Sequence, residues 1–193
     1  MPLKVLLVDE TPRRASALRK ALGRVEGVTV ACTVEAPLEL LRRIEEHRPD
    51  IVLIDTESPS RDVLEQLAAV SATAPRPVVV FTDDSEQDAI RATLRAGVSA
   101  YIVDGIAPER LAPIMRVAME RFQAGQRLRA ELEETKSRLE ERKLVDRAKG
   151  ILMKQRNVDE DEAFALLRSL AMQRGLRLGE VARQVIDVAQ LLG

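Results

Sequence analysis

The sequence predicts an α/β domain built on a five-stranded parallel sheet, followed by a long helix and a C-terminal bundle of three helices. Three observations carry this. Short apolar runs alternate five times with helical periodicity between the amino terminus and Pro108. Beyond Pro108 a heptad-like stretch is crowded with charges of both signs, and beyond that lie three amphipathic segments with tight connections. A repeated strand-then-helix order implies parallel strands joined by crossover helices, and such a sheet is covered on both faces.

The first strand is Leu-Lys-Val-Leu-Leu-Val at 3–8, closing on Asp9 and Glu10. After Pro12, the periodic Ala17, Leu18, Ala21 and Leu22 predict a helix. Further strands are expected near 28–32, 51–54, 77–81 and 99–103, with helices at 36–47, 61–73, 85–96 and from 108 onward. In that last helix Leu111, Ile114, Ala118, Leu128, Leu132 and Leu139 fall on a/d positions of one heptad frame, interrupted by Arg121, Thr135 and Arg142. The pattern predicts a helix that pairs with a second copy as a coiled coil of modest strength, giving a homodimer. Gly125 weakens the helix by about 1 kcal/mol relative to Ala and marks a place for a bend.

Val145, Ala148, Ile151 and Leu152 form the first stripe of the bundle, ending at Asn157, which tolerates a left-handed helix end. Asp159 and Glu162 match a capping box for a second helix carrying Ala163, Leu166, Leu167, Leu170 and Ala171 and stopping at Gly175. Leu178, Val181, Ala182, Val185, Ile186 and Ala189 mark the third. The expected organisation is a domain over 1–120, a coiled-coil linker over 121–140 and a small domain over 141–193.

Composition narrows the chemistry. Aromatics make up 2% of 193 residues and Trp is absent, so the core must be aliphatic. A formal charge of −1 argues against a uniformly basic nucleic-acid packaging protein, though not against a local basic face. One cysteine, Cys32, cannot form an internal disulfide and reads as a small buried hydrophobe; the lone histidine, His47, reads as a solvated cation at a helix end. One His and one Cys leave zinc hydrolases, Ser-His-Asp enzymes and Cys-His proteases almost nothing to work with, so no catalytic residues are assigned and no enzyme is expected. The amino-terminal apolar run is too short for a signal peptide, and no run approaches the roughly 20 apolar residues of a membrane span, so a cytoplasmic protein without membrane contact is expected.

In a parallel sheet the strand ends converge. Asp9 and Glu10 close strand one, Asp55 closes strand three and Thr82 closes strand four, placing carboxylates beside a hydroxyl. Such a cluster either binds a hard divalent cation or holds a proton, and Mg²⁺ beside a nucleophilic aspartate is the chemistry of an acyl phosphate. With these residues, 1 to about 120 resembles a response-regulator receiver domain, which implies a flavodoxin-like fold. The resemblance implies Asp9 and Glu10 as the acidic pair, Asp55 as phosphoacceptor, Pro59 in the loop that follows, and Thr82 and Tyr101 as switch residues. Asp104 stands where the family has an invariant lysine, Gly105 replaces the usual proline, and Glu10 replaces the usual metal-ligating aspartate. A phosphoryl group would add about 1.5–2 negative charges to this pocket. Without an ammonium to offset them, each like-charge pair at about 4 Å costs about 4 kcal/mol at an effective dielectric near 20. No cofactor is required, Mg²⁺ at Asp9, Glu10 and Asp55 is possible, and Asp104 points to a pseudo-receiver turned from phosphate sensing to protein docking.

Asp146-Arg-Ala-Lys-Gly-Ile-Leu-Met153, then Glu162-Ala-Phe164, then Leu167-Arg-Ser-Leu-Ala-Met172 and Val181-Ala182 resemble the ANTAR domain, an RNA-binding module. Both halves in this order resemble the AmiR/NasT group of antitermination response regulators, nearest its NasT-type, nitrate-assimilation branch. The resemblance implies binding to leader-mRNA hairpins and control by an inhibitory sensor protein or a histidine kinase. Lys and Arg outnumber Asp and Glu by 11 to 9 from Arg138 to the end, whereas the preceding part is net acidic. The candidate RNA contacts are Arg147, Lys149, Lys154, Arg156, Arg168, Arg174, Arg177 and Arg183, with Phe164 expected in the core. Two alternatives stand beside this: a phosphorylation-dependent two-component regulator acting on RNA, and a DNA-binding transcription factor.

Overall fold

The structure, a computed structural model, describes residues 2–9, 18–35, 37–103 and 107–192, with Asp9, Pro37 and Leu192 by their backbone only. It divides into two compact units, Met1–Gln126 and Arg127–Gly193.

In unit 1 the strands are β1 (Leu3–Asp9), β2 (Val28–Val34), β3 (Ile51–Thr56), β4 (Val78–Thr82) and β5 (Ala100–Val103). They pair in the order β2-β1-β3-β4-β5 and every pairing is parallel, as predicted. The helices are α1 (described over 18–22), α2 (Leu40–His47, entered through a 3-10 turn at Pro37–Glu39), α3 (Arg61–Thr73), α4 (Gln87–Arg95) and α5 (Pro108–Arg156).

Alternate strand residues face opposite sides of a sheet, so one apolar run can serve two cores. Leu6, Val8, Val52, Ile54, Val78 and Val80 pack with Leu40 and Ile44 of α2 and with Val63, Leu67 and Val70 of α3. Val5, Leu7, Ile51, Leu53, Val79 and Phe81 pack with Leu18 and Leu22 of α1 and with Leu111, Met115 and Ala118 of α5. All five residues of β4 and all six of β3 are buried, the mark of central strands sandwiched between helix layers. Ser60 caps α3 by accepting the amide of Val63 at 3.3 Å, and Arg48 takes a left-handed conformation, φ 46°, just after His47 ends α2. Cys32 is half-buried against the first core rather than enclosed, because it lies on the flanking strand β2.

Helix α5 runs as one element through Gly125, and Pro113 in its second turn removes one intrahelical bond, the one its missing N–H would make. In unit 2 its end packs with α6 (Glu160–Arg174) and α7 (Leu178–Leu192). Val145, Ala148 and Leu152 meet Ala163, Leu167 and Ala171 of α6 and Val181, Ala182 and Ile186 of α7. The helix junctions follow the sequence closely. Asn157 adopts φ 53°, the Asp159–Glu162 capping box forms, and Gly175 takes the left-handed cap at φ 63°, where an L side chain is strained.

The two cores can be perturbed separately. Tyr101 is the single tyrosine and Trp is absent, so intrinsic fluorescence follows unit 1 alone. Leu7→Ala is expected to lower the unfolding free energy of unit 1 by about 2–5 kcal/mol, moving the urea transition seen by Tyr101 fluorescence. Leu167→Ala should instead shift only the helical circular-dichroism transition.

Candidate functional site

Parallel register assembles the first candidate site. Asp9 is the register partner of Asp55, Asp55 of Phe81, Thr56 of Thr82, and Thr82 of Val103, so four neighbouring strands end together. Asp55 is 4% exposed, a carboxylate held at the edge of the core. Its pairing with Asp9 sets two carboxylate-bearing residues side by side, a donor type that suits a hard cation such as Mg²⁺. Among the described residues no group of three or more His, Cys, Asp or Glu side chains could hold a metal. Glu10 and Asp104 lie outside the described residues, as does the side chain of Asp9.

Around this pocket the loops after β3 and β4 are stitched together. The Thr82 hydroxyl donates to the Glu57 carbonyl at 2.8 Å and accepts the Asp84 amide at 3.1 Å. Thr56 donates to the Ser58 carbonyl at 3.1 Å. The Asp84 carboxylate accepts the Ser58 hydroxyl at 2.5 Å and the Glu86 amide at 2.8 Å. Tyr101, packed against the first core, donates its hydroxyl to the Asp84 carbonyl at 2.9 Å. The Ser58 hydroxyl and the Glu86 amide hold the Asp84 carboxyl below its ordinary range, and burial raises the Tyr101 phenol. The two switch residues named from the sequence are thus joined through one residue, Asp84, that sequence reasoning passed over. Its signal was a second aspartate directly after Thr82-Asp83.

The second candidate site is unit 2. Arg147, Lys154, Arg156, Arg168 and Arg183 are exposed and have no ion-pair partner among the described residues. Arg177 is likewise exposed, and Arg174 donates to the Gln184 side chain at 2.8 Å, tying α6 to α7. Lys149 differs from the others. Its side chain is only 15% exposed and its ammonium bonds Asp146 at 2.8 Å and Glu160 at 2.6 Å, bracing α5 against α6. The Asp146 bond, then the Glu160 bond, raise its pKa.

Helix amino termini commonly attract phosphate, but both in the bundle are already closed by carboxylates. Asp159 and Glu162 cap α6. At α7, Glu180 accepts the Arg177 amide at 2.8 Å, and Glu141, reaching from α5, accepts the Gly179 amide at 3.2 Å. A Cβ on residue 179 would lie 2.8 Å from Glu141 Cγ, so glycine is what lets α5 approach. Glu141 was not legible from the sequence, because its partner is 38 residues away. An anion approaching these two helix ends therefore meets side chains rather than free amides. Phe164, expected in the core, is 41% exposed, since the inward positions of α6 are taken by Ala163 and Leu167.

Comparison with known proteins now identifies both units. Residues 5–116 match the response regulator receiver domain, and residues 133–186 match the ANTAR domain. The chain is an ANTAR response regulator. It is 30% identical to the transcriptional regulatory protein PdtaR of Mycobacterium tuberculosis over 187 residues, which covers 97% of this chain and 91% of that protein. It is 35% identical to the nitrate regulatory protein of Klebsiella oxytoca over 83 residues, 43% of this chain and 20% of that one. The receiver fold is shared with a CheY-like response regulator receiver protein of Methanospirillum hungatei at TM-score 0.55 and 21% identity, covering 65% of this chain and 99% of that one. This places the chain with the AmiR/NasT-type regulators.

Two outcomes follow from the geometry of this ANTAR response regulator. A carboxyl whose folded pKa is depressed stabilises the fold above its unfolded pKa, about 3.9 for Asp, and that stability disappears as pH falls through the folded value. Ser58→Ala should therefore lower the receiver's urea midpoint near neutral pH, and the gap from wild type should close in acid as Asp84 protonates. In the ANTAR domain, Lys149→Met should lower the melting temperature measured by circular dichroism, whereas Arg147→Ala should leave it unchanged.

Proposed function

We propose that this regulator is a transcription antiterminator that binds hairpins in nascent leader mRNA and keeps a terminator from forming. The observation that carries the reading is the ANTAR bundle itself. It presents exposed Arg147, Lys154, Arg156, Arg168 and Arg183, without ion-pair partners among the described residues, while the amino termini of α6 and α7 are occupied by its own carboxylates. Arginine and lysine contacts to phosphate supply affinity and its salt dependence, and unpaired loop bases supply sequence. The same exposed cations would also serve a DNA-binding role, but neither α6 nor α7 offers the Arg, Asn and Gln cluster near its start that major-groove reading needs. Likeness to a nitrate regulatory protein supports control of nitrate or nitrite assimilation genes.

In this reading the chain works as a homodimer. Leu128, Leu132 and Leu139 stand exposed on α5 at coiled-coil spacing, between ion pairs such as Lys136–Glu133 and Arg138–Glu134. Two bundles on one dimer make the second hairpin contact intramolecular. Control comes through the receiver. An inhibitory sensor protein docks on the pseudo-receiver, whose Asp104 replaces the cation that a phosphoryl group needs. Phosphorylation from a histidine kinase is the second reading, favoured by the burial of Asp55 and its register with Asp9. In that case Asp55, Asp9 and Glu10 would hold Mg²⁺, which supplies charge neutralisation to the phosphoryl group. Thr82 would have to release the Glu57 carbonyl to donate a hydrogen bond to it.

Competition between hairpin RNA and duplex DNA at fixed salt tests the central claim, with preferential retention of the hairpin expected. Arg147→Ala with Arg156→Ala should weaken hairpin binding and reduce the slope of log affinity against log salt by about 2. Asp55→Asn separates the modes of control: docking predicts little change in RNA affinity. Phosphate incorporation at Asp55 from a small phosphodonor and Mg²⁺ with a gain in RNA affinity would establish the kinase reading.

A further inference from the structure

Phe164, Arg168 and Met172 are spaced by four along α6, so they form one stripe on its surface. The stripe borders an open groove of about 460 Å³ that Ala171, Leu176 and Leu178 also line. Phe164 is the only aromatic residue in unit 2, and both it and Met172, 75% exposed, turn apolar surface to solvent instead of to the core. The only ionisable residue lining this cavity is Arg168, which has no ion-pair partner among the described residues. A second cavity, about 490 Å³ between the end of α5 and α7, is of mixed charge, lined by Glu140, Glu141, Glu180 and Asp187 together with Arg177 and Arg183.

We propose that the Phe164–Arg168–Met172 groove receives one unpaired base of an RNA loop, with the Phe164 ring as its stacking surface and Arg168 on the adjoining phosphate. This rests on the RNA-binding reading above and adds the element that phosphate contacts cannot supply, a place where a base is read. A base offers a flat apolar face beside an anionic backbone, and this groove offers an apolar wall beside an unpaired cation. Stacking on an aromatic ring tolerates any base, so edge contacts from the turn at 175–177 are left to provide preference. The absence of carboxylates from the lining distinguishes an RNA occupant from a basic peptide.

The test uses the full-length chain and hairpin RNAs it retains from a pool with a constant stem and a randomised loop. Phe164→Ala should weaken binding of the retained hairpins about tenfold or more while leaving the salt slope and the affinity for fully paired duplex unchanged. Phe164→Tyr should bind like wild type, and a loop 2-aminopurine should be quenched by wild type but not by Phe164→Ala. Met172→Glu, at a position exposed enough to leave folding untouched, should weaken loop binding as well. Hairpin binding by Phe164→Ala and Met172→Glu equal to wild type would overturn the groove and leave the RNA reading standing. An equal loss for hairpin and duplex would overturn it too, as would a shift from dimer to monomer in sedimentation, which would make the groove a contact between copies. If wild type retains no hairpin at all, the RNA reading fails first and the groove with it.

Discussion

Parallel register is the constraint on which the receiver half depends. Because β1, β3, β4 and β5 run the same way, every residue that ends an apolar strand is delivered to one rim, and Asp9, Asp55 and Thr82 become neighbours despite their distance in the chain. Helices covering both faces exclude water from β3 and β4, so the Asp55 carboxylate sits at the boundary between a dry core and the solvent. A charge there responds strongly to whatever approaches, whether cation, phosphoryl group or protein partner.

The rim is also where two loops are held together. Asp84 takes three bonds in three directions: its carboxylate from Ser58 and Glu86, its carbonyl from Tyr101, and its amide goes to Thr82 as a fourth. Thr82 and Tyr101 are thus both hydrogen-bonded to one loop residue, so a displacement of Asp84 would carry the Thr82 hydroxyl and the Tyr101 ring with it. Hydrogen bonds to a carboxylate are stronger than neutral ones, which gives this arrangement its preference among loop conformations.

In the ANTAR half the governing feature is economy of positive charge. Lys149 is spent on joining α5 to α6, Arg174 joins α6 to α7, and acidic side chains close the helix amino termini. What is left facing solvent is a set of arginines and Lys154 without ion-pair partners among the described residues, together with the Phe164–Arg168–Met172 stripe of α6. Exposed cations and exposed apolar surface thereby fall on different residues, the first spread over the bundle and the second gathered beside one groove.

The sequence by itself determined the alternation of strands and helices, the parallel sheet, the convergence of Asp9, Asp55 and Thr82, and the capping box at Asp159. These are legible because they depend on local periodicity and on residues at strand ends, where a parallel sheet leaves no freedom of placement. Only the tertiary structure decided that Asp84 links Thr82 to Tyr101, that Glu141 caps α7 across 38 residues, that Lys149 is braced between two carboxylates, and that Phe164 faces outward. Each of those depends on how helices and loops rotate against one another, and a stripe of small residues such as Ala163 and Ala171 fills the inward face in a way that periodicity alone does not rank above a neighbouring phenylalanine.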